Sequence, residues 1–340
     1  MTLICLNGAM RASDSHLIAG PLDALTRRAL GGSVDGLCRL TGGASQELWS
    51  FDVAGRGYVL RRSPGSNDMG ERMATAGLEI EAAVIEAVRA NGVPVPQVVL
   101  VLAPGDALGK GFLATRMPGE ALGRRIVDHP AFADIRPHLA EACGTILAAI
   151  HASPVEDLPA LTVRSPVDSI DALDRLLCSF DERRPVFEGA LVWLRQNCPP
   201  PVEPRLVHGD FRTGNFLLEA SGISAILDWE ACHLGDPMED LGWLCMPVWR
   251  FGHLDRPVGG FGQRDKLYLA YAGAGEGPVD AGRVRFWEVL GMLRWGLTCM
   301  LMADTFLTSD PSIERAAVGR RASEAEIELL HALVPRTSHV

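Results

Sequence analysis

The chain has eight cysteines (Cys5, Cys38, Cys143, Cys178, Cys198, Cys232, Cys245 and Cys299) but no C-x-x-C pair and no His/Cys spacing of a zinc site. That excludes a zinc ribbon and a thioredoxin-type motif, and leaves thiols in largely apolar surroundings, as expected of a reducing cytosol. A basic excess is missing too. Against 32 Lys+Arg stand 42 Asp+Glu, a formal net charge of −10, which argues against general binding to nucleic acid. The opening M-T-L-I-C-L-N-G-A-M-R lacks the charged flank and apolar core of a secretory signal. The most apolar late stretch, Val289–Ala303, contains Arg294 and is too short to span a bilayer, so no membrane partner is expected. Internal repeats and low-complexity tracts are absent.

What remains is the composition of an ordinary globular protein, 47% hydrophobic and 22% charged over 340 residues, long enough for two lobes. Residues 1–20 read as a loose leader. Pro21–Leu30 reads as a short helix ended by Gly31-Gly32. Strand-like runs follow at Gly36–Leu40, Glu47–Val53 and Gly57–Arg61, with T-G-G-A-S and A-G-R-G between them as hairpin signals. Glu71–Ala90 has helical spacing through Leu78, Ala82, Ile85 and Val88. Pro94 and Pro96 lead into a strand at Val98–Leu102, and Phe112–Thr115 is another. Pro118-Gly119 marks the boundary between a strand-rich lobe (21–117) and a mostly helical one (118–340). In the second, helices are expected at Ile135–Ala152, Asp168–Phe180, Pro185–Asn197, Met238–Val248, Gln263–Ala272, Val279–Ala303 and Ser312–Leu333. Short strands lie between Arg205 and Asp228. The fold class is α+β and bilobal.

The chemistry concentrates in those short strands. L-V-H-G-D-F-R-T-G-N-F-L-L (Leu206–Leu218) sets Asp210 and Asn215 on one loop between apolar runs, and I-S-A-I-L-D-W-E ends a second run on Asp228. Two acids and an amide at neighbouring strand ends can converge. Magnesium takes a few hard oxygen ligands and lets phosphate oxygens and water complete its shell, which suits Asn215 and Asp228. Asp210, left free of metal, suits a base for an acceptor hydroxyl.

H-G-D-F-R-T-G-N, then I-L-D-W-E, then G-D-P-M-E-D-L-G, in that order, resembles the aminoglycoside phosphotransferase and choline kinase superfamily, small-molecule kinases with a protein-kinase-like fold. The resemblance runs over roughly residues 37–243. It implies an antiparallel-sheet N-lobe holding ATP, a helical C-lobe, ATP and Mg2+ as cofactors, Asp210 as catalytic base, Asn215 and Asp228 on magnesium, and His208 bracing the loop. Gly235-Asp236-Pro237 and Asp240 correspond to the family's structural segment after the metal aspartate. Gly42, Gly43 and Ser45 in the first hairpin would meet the phosphates. Arg61, at the end of the third strand where the family commonly carries lysine, would hold phosphate, with Glu81 as its partner and Glu79 as the fallback. Arg62 points to the other face. Residues 112–117, with Thr115 and Met117, would be the linker beside adenine. Arg212 is a phosphate or substrate contact or a surface charge; Glu230 and Trp229 pack, or Glu230 reaches the metal site or a cationic substrate. His151 reads as a helix-end packing residue.

The C-terminal stretches R-F-W-E-V-L-G-M-L-R-W-G-L-T-C-M and S-I-E-R-A-A-V-G-R-R-A-S-E-A-E-I-E-L-L are similar to the phosphotransferase branch associated with acyl-CoA dehydrogenases. This implies a hydroxyacyl metabolite as acceptor. An antibiotic kinase of aminoglycoside type and a catalytically weak nucleotide-binding scaffold are the alternatives. Phe286, Leu290, Leu293 and Leu297 read as core; Trp287, Arg294 and Trp295 read as an acceptor-cleft lining.

Overall fold

The computed structural model describes residues 12–40, 46–63, 75–309 and 311–334. Among them the first part is an antiparallel sheet of five strands flanked by two helices. Helix α1 (Ala12–Leu30) is followed by β1 (Asp35–Leu40), β2 (Glu47–Val53) and β3 (Arg56–Ser63), then α2 (Leu78–Ala90), β4 (Val98–Val101) and β5 (Lys110–Thr115), in the sheet order β1-β2-β3-β5-β4. Alternation decides the two faces. Trp49, Phe51, Val53, Tyr58 and Leu60 pack with Ile18, Leu22 and Leu25 of α1. The opposite face meets α2 through Leu78, Ala82, Ile85 and Val88, packed with Phe112 and Ala114. Arg61, one residue past Leu60, therefore points toward α2. Arg62 points back and pairs with Glu47 at 2.9 Å.

Helix α1 begins at Ala12 rather than at Pro21, so the described part of the expected leader is helical. Ile18 is as buried as Leu22 and Leu25, which extends the apolar stripe a turn N-terminal to the proline.

The second part is mainly helical: α3 (Gly123–Asp128), α4 (Leu139–His151), α5 (Pro166–Cys178) and α6 (Pro185–Gln196) precede four short strands, β6 (Arg205–Val207), β7 (Phe216–Glu219), β8 (Gly222–Ile226) and β9 (His233–Gly235). β6 pairs with β9 and β7 with β8. Then come α7 (Met238–Leu244), α8 (Arg264–Tyr271), α9 (Ala281–Thr308), α10 (Ile313–Gly319) and α11 (Ala322–Leu333). The 28-residue α9 starts on Asp280, whose carboxylate accepts from the amides of Gly282 and Arg283, and is buried on most of its circumference.

Two helices stop sooner than their apolar pattern suggests. Helix α7 ends at Leu244 because Pro247 forces Met246 into an extended conformation (φ −63°, ψ 145°). The expected 312–333 helix is broken after Gly319, which lies so close to Ala303 that a Cβ there would fall 2.9 Å from its backbone. Among the described residues no helix is long and apolar enough to cross a membrane.

Candidate active site

Two loops, 208–215 between β6 and β7 and 227–232 between β8 and β9, bring the candidate residues together. Asp240 of α7 holds the first. Its buried carboxylate accepts from the His208 amide (2.8 Å) and the Gly209 amide (2.9 Å), and from His151 Nε2 (3.1 Å). Burial alone would raise the Asp240 pKa. The bond from His151 and the nearby histidines outweigh it and hold the group below the ordinary aspartate value. His151, expected as a packing residue, thus has a second link to the loop, and Tyr271 bonds its other ring nitrogen at 2.8 Å.

Gly209 makes the turn. Its φ is +79°, and a Cβ there would sit 2.5 Å from the Ala231 carbonyl oxygen. The Asp210 amide donates to His208 Nδ1 (3.2 Å), so the ring proton is on Nε2, which donates to the Leu227 carbonyl (3.1 Å). Burial lowers the His208 pKa, leaving a neutral ring that ties the two loops together.

The Asp210 carboxylate is surrounded by donors. Oδ1 accepts from Trp243 Nε1 at 2.7 Å and Arg212 Nε at 3.0 Å, and Oδ2 accepts from Asn215 Nδ2 at 2.6 Å. Asn215 Nδ2 also bonds the Asp210 carbonyl at 3.0 Å, closing the loop on itself.

Across from this loop, Asp228 sits at the end of β8 in a left-handed conformation (φ 67°), uncommon for a non-glycine residue. Its Oδ1 lies 2.7 Å from Arg61 of β3, which links the sheet to the helical part. Arg61 Nε is 3.2 Å from Glu81 of α2, and Glu230 is 3.5 Å from the same guanidinium. Gln46 donates to Glu230 at 3.3 Å. Burial disfavours the Arg61 charge, but three carboxylates more than restore it and push its pKa up. For Asp228, crowding by protein would raise the pKa, and Arg61 brings it below the usual range. Glu81 goes the other way, pushed up to about 7 by burial that Arg61 only partly offsets. Among the described residues one of its oxygens has no hydrogen-bond partner.

Three carboxylates thus share one guanidinium. That surplus of negative charge at two strand ends, with the Asn215 amide nearby, fits a hard divalent cation. Among the described residues no three His, Cys, Asp or Glu side chains form a metal site of their own.

The structure brings together Asp210, His208, Arg212, Asn215, Asp228, Arg61, Glu81 and Glu230. Gly42, Gly43 and Ser45 lie outside the described residues. Thr115 and Met117 lie at and just past the end of β5, where Thr115 Oγ1 accepts from the Gln97 amide at 3.0 Å.

Arg212, which bonds Asp210, also lines a cavity of about 550 Å3 with Arg124, Trp249, Phe251, Trp295 and Arg321 among others. The Arg212 guanidinium stacks on Trp249 (4.5 Å to the ring centre), connecting this wall to the Asp210 carboxylate. Of the residues expected to line a cleft, Trp295 does. Trp287 does not; it is buried and donates to Asp236 at 2.8 Å. Arg294 turns to the loop, donating to the Gly209 carbonyl at 2.7 Å and stacking on Trp243 at 3.8 Å. The roles of Trp243 and Arg294 at the loop had no short-range signal, since both residues are far from it in sequence.

Comparison with known proteins follows the same lines. A profile of the phosphotransferase enzyme family (APH) matches residues 36–277. Acyl-CoA dehydrogenase family member 10 of Mus musculus is 29% identical over 219 residues, 60% of this chain and 20% of that protein. Probable acyl-CoA dehydrogenase IBR3 of Arabidopsis thaliana is 27% identical over 210 residues, 56% of this chain and 24% of that protein. The chain therefore spans about a fifth to a quarter of the length of these curated relatives. Among solved structures, a putative aminoglycoside phosphotransferase from Ralstonia eutropha JMP134 superposes with a TM-score of 0.71 at 22% identity, covering 92% of this chain and 97% of that one. A thermostable mutant of aminoglycoside phosphotransferase APH(4)-Ia, in a ternary complex with ADP and hygromycin B, gives 0.64 at 19% identity, covering 92% and 99%.

Proposed function

This chain belongs to the phosphotransferase enzyme family and is a small-molecule kinase, and from that premise we propose that it moves the γ-phosphoryl group of ATP to a hydroxyl on a hydroxyacyl-type metabolite. The observation that carries the reading is the Asp210 carboxylate, ringed by donors on a loop pinned by Asp240, facing the Asp228–Arg61 pair.

In this reading residues 21–117 form the nucleotide-binding lobe, and 118–340 carry the catalytic loops and the acceptor site. Asp210 orients the acceptor hydroxyl and takes its proton as the new O–P bond forms and the bond to ADP breaks. The donors around Asp210 hold its carboxylate in one orientation. Asn215 and Asp228 would hold magnesium, which when bound neutralises charge on the phosphate oxygens. Arg61, backed by Glu81, would hold phosphate as a bidentate donor. The backbone from Thr115 to Met117 would meet adenine. Gly42, Gly43 and Ser45 keep their proposed place at the phosphates.

The cavity supports the acceptor class. Its walls combine indole and phenyl faces with three guanidinium groups, Arg124, Arg212 and Arg321, against two carboxylates, Glu324 and Glu328. An apolar body with an anionic or polar head fits such walls; a polycationic aminoglycoside calls for an acid-rich one. The curated relatives, named as acyl-CoA dehydrogenases, point the same way.

The test is ADP release from MgATP with a panel of hydroxy acids, their CoA thioesters, choline-like alcohols and aminoglycosides. Hydroxyacyl compounds should stimulate release and aminoglycosides should not. Asp210→Asn should cut the stimulated rate by roughly 10²–10⁴-fold while nucleotide binding persists. Undiminished turnover in that variant would refute the mechanism. Stimulation by aminoglycosides alone would refute the acceptor class.

A further inference from the structure

We infer that Trp243 is a positioning residue for the base, fixing the Asp210 carboxylate through its indole N–H; this rests on the kinase reading above. Among the described residues three side chains donate to that carboxylate. Asn215 is assigned to the metal, and Arg212 also lines the acceptor cavity, so both have a second partner in a working site. The indole has one donor, and it is spent on Asp210 Oδ1 at 2.7 Å.

The ring is built to stay in place. Trp243 is buried. The Arg294 guanidinium covers one face at 3.8 Å, and Trp249 packs against it with ring centres 5.6 Å apart. Gly291 of α9 leaves the space: a Cβ there would come 3.0 Å from Trp243 Cε3. Arg294 also bonds the Gly209 carbonyl, so the residue steadying the indole steadies the loop that carries Asp210. Ring and carboxylate thus keep their relation while Arg212 and Asn215 engage other partners. With only two side-chain torsions, Trp243 holds its donor at small entropic cost.

Two substitutions separate the donor from the packing. Trp243→Phe keeps a large ring without the N–H. Trp243→His loses the benzo ring, yet its Nε2 lies two ring bonds from Cγ, the position of the indole nitrogen. ADP release from MgATP is followed at pH 8, with water or, where one is turned over, a hydroxyacyl thioester as acceptor. Trp243→Phe should lower kcat by about 10- to 100-fold, as expected for losing a hydrogen bond to a charged group, with KM for ATP within about twofold. Trp243→His should retain more of kcat than Trp243→Phe despite melting lower, the reverse of the order that packing alone would give. In an Asp210→Asn background Trp243→Phe should cost nothing further, because the indole acts through that carboxylate. Wild-type kcat in Trp243→Phe, an equal fall in both variants, or an additive loss in the Asp210→Asn background would overturn the proposal. A fully active Asp210→Asn chain would overturn the base assignment and this inference with it, and is distinguishable because it needs no change at Trp243.

Discussion

Replacing Asp240 by asparagine changes one oxygen to an NH2 group and should damage both stability and the active loop. The aspartate accepts three hydrogen bonds: His208 N and His151 Nε2 at Oδ2, and Gly209 N at Oδ1. In the variant, the amide oxygen fits best where Oδ2 was, because it then keeps two partners. The NH2 group is left facing the Gly209 amide, donor against donor. The alternative flip sets NH2 against two donors and is worse. The better arrangement loses one bond to a charged group, weakens two others, and leaves a buried N–H without an acceptor. The loss of the first bond alone is worth about 1.5–3 kcal/mol, so a total near 3 kcal/mol is expected, a large share of a typical ~5–15 kcal/mol. Urea denaturation at pH 7 measures it. Hydrogen exchange over the 205–212 peptide should show the Gly209 amide losing protection. Because the Asp240 pKa is lowered on folding, its stabilisation is present above the ordinary aspartate value of 3.8 and fades as pH falls through the folded value. The gap between wild type and variant should close in acid. A variant within about 0.5 kcal/mol of wild type, with Gly209 still protected, would refute the reasoning.

Gly209→Ala should destabilise by about 2–4 kcal/mol, since φ is +79° and the new methyl would meet a backbone oxygen at 2.5 Å; Gly222→Ala, with positive φ but nothing within 4 Å, should cost less, and melting curves of the two compare them directly. Glu81 has its pKa raised from 4.5 to about 7, so the contribution of its neutral form is full below 4.5 and lost as pH rises through 7. Without nucleotide, Glu81→Gln should be about as stable as wild type near pH 4 and more stable at pH 8, by up to about 3 kcal/mol; a constant difference across that range would contradict the assignment.

How much of this was legible in the sequence depends on the range of the interaction. Strand alternation is local, and it correctly put Arg61 on the face opposite Arg62. The strand-end positions of Asp210, Asn215 and Asp228 also followed from short apolar runs. What could not be read was which helix would come to the loop. Trp287 and Trp295 lie on the same helix with equally apolar neighbours, yet one is buried on Asp236 and the other faces the cavity. That choice is made by the packing of α7 against α9. Trp243 and Asp240 sit in a segment read only as structural, because a buried carboxylate accepting two backbone amides from a distant loop has no signature in its own neighbourhood. The small residue at Gly319 is of the same kind, since the close approach of Ala303 leaves no room there for a side chain.

Helix α9 is tied into the core at three levels: Arg283 on Asp236, Glu288 on Arg250 and Arg264, and Arg294 on Gly209 and Glu239. It also supplies Met292 and Trp295 to the cavity wall. Any change of acceptor preference made through this helix would disturb the machinery it supports. Evolutionary divergence, or a designer seeking a new substrate, has freer ground at the cavity-lining Leu254 and the cavity-facing turns of α11, where side chains can be exchanged without disturbing Trp249 and Arg250, which brace the Asp210 loop and α9.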